Sequence, residues 1–462
     1  MKQNENTINR REFLQRLGAS ATVVTAATAI PASARAAIAP QAPEAGEMTY
    51  REGPRGDRVS LLGYGCMRWP TLPAAEGKEP ELDQETINRL VDFALEHGVN
   101  YFDTAPAYQR GRSETATGIA LKRHPRSSYY VATKLSNARP PFTKAAALEM
   151  YHASMKRLQV DYIDYYLLHN IGTPRDGETG PQRFETRFIK NGVLDYLLKE
   201  RKAGRIRNLG YSVHCDRETF DYVLALHDKY HWDFVQIQMN YADWKEAQRT
   251  SDCSAEYMYT ELARRNIPVV IMEPLLGGRL ASLNDHLNAK LQALEPERSI
   301  ASWAFRYCGT FPQILTVLSG MTYMEHLQDN LKSFSPLKPL AEEEIQTLYG
   351  LAEEFRKYPL INCTACQYCM PCPYGLDIPG IFAHYNKCVN EGNINEDKGD
   401  KAYRRARRAF LVGYDRSVPR LRQAEQCIGC GHCVEACPQR INIPQQMRKI
   451  DRYADKLRSD LK

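Results

Sequence analysis

Between residues 58 and 340 short apolar runs alternate with longer stretches of helical period. The runs are 59–65 (VSLLGYG), 99–105 (VNYFDTA), 129–135 (YYVATKL), 162–169 (YIDYYLLH), 206–212 (IRNLGYS), 234–240 (FVQIQMN), 268–274 (PVVIMEP) and 314–320 (ILTVLSG). The segments between them carry apolar residues at helical spacing. An example is 83–98 (DQETINRLVDFALEHG), which closes on Gly98 as a helix C-cap does. Eight strand–helix units in succession fit a closed (β/α)8 TIM barrel better than an open doubly wound sheet. No G-x-G-x-x-G follows any of the runs, so the dinucleotide signature of the open sheet is missing.

In such a barrel chemistry collects where strands end and the following loops begin. The second, third and fourth runs end on Asp103, Lys134 and His169, and Tyr108 lies in the loop after the second. Singly, these are a turn cap, a solvated lysine, a packed tyrosine and a core histidine. At adjacent strand ends they aim a carboxylate, an ammonium, an imidazole and a phenol at one cavity, a set suited to interconverting a carbonyl and an alcohol. The phenol supplies or takes the proton, and an ammonium beside it is expected to lower its pKa. The carboxylate fixes the ammonium, and the imidazole orients the carbonyl oxygen.

The segments 102–114 (FDTAPAYQRGRSE), 131–134 (VATK) and 160–169 (VDYIDYYLLH) resemble the aldo-keto reductase superfamily over the whole barrel. The resemblance implies an Asp/Tyr/Lys/His tetrad at Asp103, Tyr108, Lys134 and His169, with Tyr108 the general acid and base. It also implies a nicotinamide cofactor, NAD or NADP, lying extended across the barrel top. Its amide contacts would be Ser212 and Gln236, with Asn330 a further cofactor residue and 273–278 (EPLLGG) near the pyrophosphate. Where many members hold the NADP 2′-phosphate with lysine and arginine, residues 320–330 (GMTYMEHLQDN) carry Gly320 and His326. This loses the charge-assisted bonds such a phosphate uses.

Thirteen cysteines change the picture further. Five are scattered (Cys66, Cys215, Cys253, Cys308, Cys388) and eight form two short runs, a bunching that fits metal binding better than disulfides. The second run, 427–438, has the spacing C-x2-C-x2-C-x3-C-P of a bacterial [4Fe–4S] site, and the first, 363–373, is one residue tighter before its last cysteine. Zinc is the alternative, but it needs only four sulfurs per site and no following proline. By the two-cluster ferredoxin pattern, one cluster takes Cys363, Cys366, Cys369 and Cys437, and the other takes Cys427, Cys430, Cys433 and Cys372. The arrangement resembles aldo-keto reductase-like proteins with an appended ferredoxin-type domain. The basic run 401–410 (KAYRRARRAF) is first a solvated helix face or a screen for the clusters, and second a dock for an acidic electron-transfer partner or a membrane.

The chain opens on a secretory pattern: Lys2, Arg10 and Arg11, a soft apolar stretch, and ASARA at 32–36. NRREFLQ resembles the twin-arginine export signal, which implies delivery of a folded, cofactor-loaded protein to the periplasm. Cluster insertion in the reducing cytoplasm fits that route. The expected organisation is therefore signal peptide 1–36, linker 37–57, barrel 58–340 and a small α-rich ferredoxin-like iron–sulfur domain 341–462. A net charge of +6 over 462 residues argues against nucleic acid as a partner.

Three functions follow from these features. One is an exported enzyme on a small carbonyl or alcohol such as a sugar, with electrons linked to two clusters and a tightly held nicotinamide. The second is a nicotinamide-independent, cluster-linked oxidoreductase. The third is an electron-transfer protein whose barrel is only a scaffold, and the intact tetrad argues against it. The polar loop 172–188 names no substrate.

Overall fold

The computed structural model describes residues 48–73, 80–172, 177–246 and 253–460. The leader and its Arg10–Arg11 pair lie outside the described residues. Strands β1 (Tyr50–Glu52) and β2 (Arg58–Ser60) form an antiparallel hairpin. There follow β3 (Leu62–Gly65), β4 (Tyr101–Asp103), β5 (Tyr130–Leu135), β6 (Ile163–Leu168), β7 (Ile206–Ser212), β8 (Phe234–Gln238), β9 (Val269–Met272) and β10 (Ile314–Ser319). These eight are all parallel and close into a barrel, β10 pairing β3 with Val317 opposite Leu62.

Each of the eight apolar runs supplies a barrel strand, and the strand period decides which residues face inward. Tyr165 and Leu167 of β6 belong to the barrel's inner core with Ala132, Phe234 and Val270, while Tyr166 and Leu168 pack outward against helices. The first run differs from expectation. It breaks after Ser60, its front half pairing with β1 and its back half entering the barrel. Val59 then joins the inner core, and Asp57 accepts hydrogen bonds from Tyr165 (2.9 Å) and Asn208 (3.2 Å). Residues 50–57 are thus part of the fold rather than of a linker.

The helices follow local rules. Gln84–Glu96 starts where the Asp83 side chain accepts from the Thr86 amide at 3.0 Å, and it buries Ile87, Leu90, Val91 and Ala94. Gly98 follows at φ 85°, where a Cβ would lie 2.7 Å from the Tyr50 hydroxyl. The boundary at 340 is also displaced. Helix Glu342–Arg356 buries Leu348, Leu351, Ala352 and Phe355 in the barrel's outer core, so it belongs to the barrel. Beyond it, helices Ile378–Asn390, Tyr403–Ser417 and Ile443–Ser459 share a second core that includes Phe382, Phe410, Met447 and Ile450, and Cys433 of the short helix His432–Ala436 packs against it.

Candidate active site

Parallel pairing brings the ends of β4, β5 and β6 side by side, with Asp103 opposite Ala132 and Lys134 opposite Leu167. Lys134 Nζ donates to Asp103 Oδ1 at 2.5 Å and to the Thr104 carbonyl at 2.8 Å, and both side chains are buried. The same ammonium lies 4.8 Å from the centre of the Tyr108 ring, and the His169 ring meets Tyr108 edge-on with centroids 6.2 Å apart. All four residues of the tetrad therefore meet at the barrel mouth. After Tyr108 the chain turns through left-handed Gln109, Arg110 and Gly111, and Gln109 Nε2 donates to the Trp69 carbonyl at 2.9 Å. Two consecutive non-glycine residues in that region are backbone strain held by their surroundings.

One expectation fails. Tyr108 is raised well above its ordinary pKa, by burial first and then by Tyr368, Asp103 and Glu273. The ammonium sits over the ring and is committed to Asp103, so the phenol rests protonated. Burial works against both charges of the pair, raising Asp103 and lowering Lys134, while their contact opposes it. His169 is pushed well below its ordinary value by burial, Lys134, His214 and Arg187, so the imidazole is neutral.

Other residues complete the site. Ser136 Oγ lies 2.6 Å from His169 Nδ1, and being the residue just past β5 it was within reach of strand-end reasoning. Arg187 lies in the polar loop whose sequence gave no lead. Its guanidinium donates to the carbonyls of His169 (2.7 Å), Asn170 (2.5 Å) and Asn137 (3.2 Å) and fixes the backbone beside the imidazole. Glu273, left-handed at φ 56°, is raised by burial against the pull of Arg68. Tyr368 comes from the first cysteine run. Its ring meets His169 edge-on at 6.5 Å, and its phenol is hydrogen-bonded with Tyr108. Nothing in C-Q-Y-C marks it as more than a spacer. A cavity of about 1330 Å³ opens between mouth and cysteine runs, lined by Trp69, Gln109, His169, Arg187, Tyr368 and Cys366 among others.

The eight cysteines gather in two groups. Cys363, Cys366, Cys369 and Cys437 line one small cavity. Cys433 feels Cys427, Cys430 and Cys372 as its neighbouring charges, so each run's fourth thiol stands with the other run's first three. Burial pushes Cys363 and Cys433 up to about 11 and Cys366 to about 12, values at which bare thiols keep their protons. The Ala365 amide donates to Cys363 Sγ at 3.4 Å. Ala365 and Gln367 in the first run, and Gly429 and Gly431 at the matching places in the second, are all left-handed. The two runs thus share the same backbone turn between successive cysteines. The four-thiol sets and the amide-to-sulfur bond fit [4Fe–4S] clusters.

The nicotinamide residues divide. Ser212 and Gln236 stand opposite each other on β7 and β8. Ser212 Oγ accepts from the Asn170 amide at 2.9 Å, and Gln236 Oε1 is buried without a partner, a vacancy that a carboxamide suits. Asn330 donates inward to Ser319 Oγ at 2.9 Å. The pyrophosphate segment does not fit. At Gly277 (φ 68°) a Cβ would lie 2.4 Å from Thr364 Cα, so the first cysteine run lies directly on that stretch, and Arg68 bonds the Thr364 carbonyl.

Comparison with known proteins agrees with this geometry. Residues 362–441 match the 4Fe-4S dicluster domain, which assigns the cysteine groups to iron–sulfur clusters. The uncharacterized oxidoreductase YqkF of Bacillus subtilis is 26% identical over 319 residues, 63% of this chain and 92% of that protein. L-Galactose dehydrogenase of Arabidopsis thaliana is 25% identical over 309 residues, 63% of this chain and 89% of that protein. Among solved structures, the aldo-keto reductase AKR11C1 from Bacillus halodurans in its holo form superposes with a TM-score of 0.51 at 24% identity, covering 66% of this chain and 96% of that one. An aldo-keto reductase from Klebsiella pneumoniae in complex with NADPH superposes with a TM-score of 0.50 at 22% identity, covering 66% and 95%. Residues 61–353, well over half of the sequence, match the Aldo/keto reductase family, and the chain belongs to that family.

Proposed function

We propose that this oxidoreductase interconverts a small carbonyl and its alcohol at the tetrad and exchanges the electrons with its own clusters rather than with a soluble nicotinamide. The observation that carries this reading is Tyr368. It sits between Cys366 and Cys369 and stands in the barrel mouth beside Tyr108 and His169, while Thr364 of the same run covers the segment a dinucleotide would need. Cysteine-bound [4Fe–4S] clusters, two of them here, supply one-electron carriers that together match the two electrons of an alcohol–carbonyl couple.

The chain's own residues do the rest. With the Ser136 hydroxyl donating to Nδ1, His169 keeps a hydrogen on Nε2 and hydrogen-bonds the carbonyl oxygen with it, without transferring it. Tyr108, protonated at rest, delivers to oxygen one of the two protons that accompany the two electrons, and it recovers one from the cavity through Tyr368; the second proton, which forms the new C–H bond, comes to the carbonyl carbon from water in the cavity. The Asp103–Lys134 pair places a positive end beneath the ring as phenolate character grows. Arg187 holds the carbonyls around His169 still.

We further propose a sugar or related polyol as substrate, supported by L-galactose dehydrogenase among the relatives. Export by the twin-arginine route to the periplasm, where soluble nicotinamide is absent, belongs to the same proposal and rests on NRREFLQ. A second reading keeps a tightly held nicotinamide, and the unpartnered Gln236 Oε1 favours it.

The test is to reduce holoprotein with limiting dithionite, mix it anaerobically with a panel of small aldehydes and oxidised sugars, and follow cluster absorbance. Reoxidation that needs Tyr108 and no added nucleotide is expected. Equal rates in Tyr108→Phe, or a strict need for NADPH, would overturn the proposal.

A further inference from the structure

Electrons passing between the barrel and the clusters must also cross the protein surface, and the two cysteine groups are unequal there. This step rests on the clusters being the electron route just proposed. The group of Cys363, Cys366, Cys369 and Cys437 is pressed on the barrel mouth through Thr364 and Tyr368. The other group contains Cys430, the single exposed cysteine among the described residues. Ile428, two residues before it, is 63% exposed, Leu421 is 81% exposed, and Tyr374, two residues past Cys372, is 47% exposed. Backbone contacts hold these segments together. Arg422 Nε donates to the Gly375 carbonyl (3.2 Å), the Asp377 amide donates to the Arg422 carbonyl (3.0 Å), and the Cys427 amide donates to Ala424 (3.0 Å). Apolar tips gathered around a cluster ligand are not explained by folding, because each would be more stable buried.

Beside the tips lies unbalanced charge. Helix Tyr403–Ser417 buries Tyr403, Ala406, Phe410 and Tyr414 and turns Arg404, Arg405, Arg408 and Arg416 outward along one groove with Val412. Arg420 and Arg422 continue the stripe across the turn. None of the six has an ion-pair partner among the described residues. Nearby carboxylates are otherwise engaged, Asp415 accepting from Gln423 and Glu425 lying 3.9 Å from Arg458.

We propose that this face, with Cys430, Ile428, Leu421 and Tyr374 at its centre and the six arginines beside them, is the docking surface for a small acidic one-electron carrier protein. Opposite charge steers the carrier in, and the apolar centre excludes water over the cluster edge. One electron crosses per encounter, lost by one partner and gained by the other, so each two-electron turnover at the barrel takes two encounters.

The probes are plastocyanin, an acidic copper protein, and the basic cytochrome c. Calorimetry with the oxidised holoprotein measures binding, and stopped-flow mixing after dithionite reduction measures transfer to each acceptor. Plastocyanin is expected to bind at low salt and to react about tenfold more slowly once salt shortens the screening length below about 8 Å, whereas cytochrome c gains nothing at low salt. Arg416→Glu with Arg420→Glu should weaken plastocyanin binding about tenfold while leaving iron content and the visible spectrum unchanged. Leu421→Ser should weaken it without changing the salt slope. Equal behaviour of the two acceptors, or charge-reversed variants that match the parent, would overturn the proposal. So would arginine-dependent capture by phosphatidylglycerol vesicles without plastocyanin binding, which would make the face a membrane contact. No carbonyl substrate enters the experiment, so its failure and a failure of the barrel chemistry are separate results.

Discussion

Tyr108 holds its proton because burial and neighbouring acids oppose the phenolate, and Lys134 is spent on Asp103. Tyr108→Phe is therefore expected to cut turnover by about 10²–10⁴-fold with both clusters intact, measured as carbonyl-driven cluster reoxidation beside iron content. Tyr368→Phe should leave cluster spectra unchanged but make the rate depend on added imidazole buffer, since water in the cavity then lacks its path to Tyr108. A buffer-independent rate would refute that role. Asp103→Ala strands the Lys134 charge in the interior and should cost roughly 3–5 kcal/mol of stability by denaturant unfolding. His169 is depressed well below its ordinary value and His214 to about 4, so the folded protein refuses protons the unfolded chain accepts below about pH 6.5. Stability present above that pH is lost as pH falls toward 4, and His214→Gln should flatten the slope of Tm against pH over that window. The tetrad's membership was legible because strand ends converge by rule. Which way the ammonium faces, and that a spacer tyrosine reaches the site, depend on packing between segments far apart in sequence.

At the level of elements, every barrel strand was announced by its apolar run because a strand covered on both sides needs one. The break after Ser60 was not, since VSLLGYG is apolar throughout and only the antiparallel partner Tyr50–Glu52 divides it. Helix Glu342–Arg356 was assigned to the wrong side of a boundary because its buried face shows periodicity but not which core receives it. The cysteine turns carry a conformational signature that one run displays and the other hides, glycine at 429 and 431 against alanine and glutamine at 365 and 367. Gly277 is the contact point between barrel and cluster domain. Gly277→Ala would drive a Cβ into the Thr364 backbone and strain a left-handed residue, so the first cysteine run should lift from the mouth. Carbonyl-driven reoxidation is expected to slow several-fold with cluster content retained. An unchanged rate would show that this close approach carries no coupling.

On the scale of the whole molecule, the parts form a sequence from barrel mouth to surface. The tetrad meets Tyr368, Tyr368 sits within the first cysteine group, and the second group reaches the surface at Cys430. Thr364 of the first cysteine run lies against Gly277, and on the proposed reading the clusters take the part that a dinucleotide plays in a nicotinamide-dependent reductase. The most direct measurement is to purify the holoprotein anaerobically, denature it, and quantify iron, sulfide and released nicotinamide nucleotides together by mass spectrometry and metal analysis. Iron and sulfide sufficient for two [4Fe–4S] clusters with no NAD or NADP is the predicted result. Near-stoichiometric nucleotide would contradict the central claim and show that hydride transfer runs through a carrier held beneath the cysteine run.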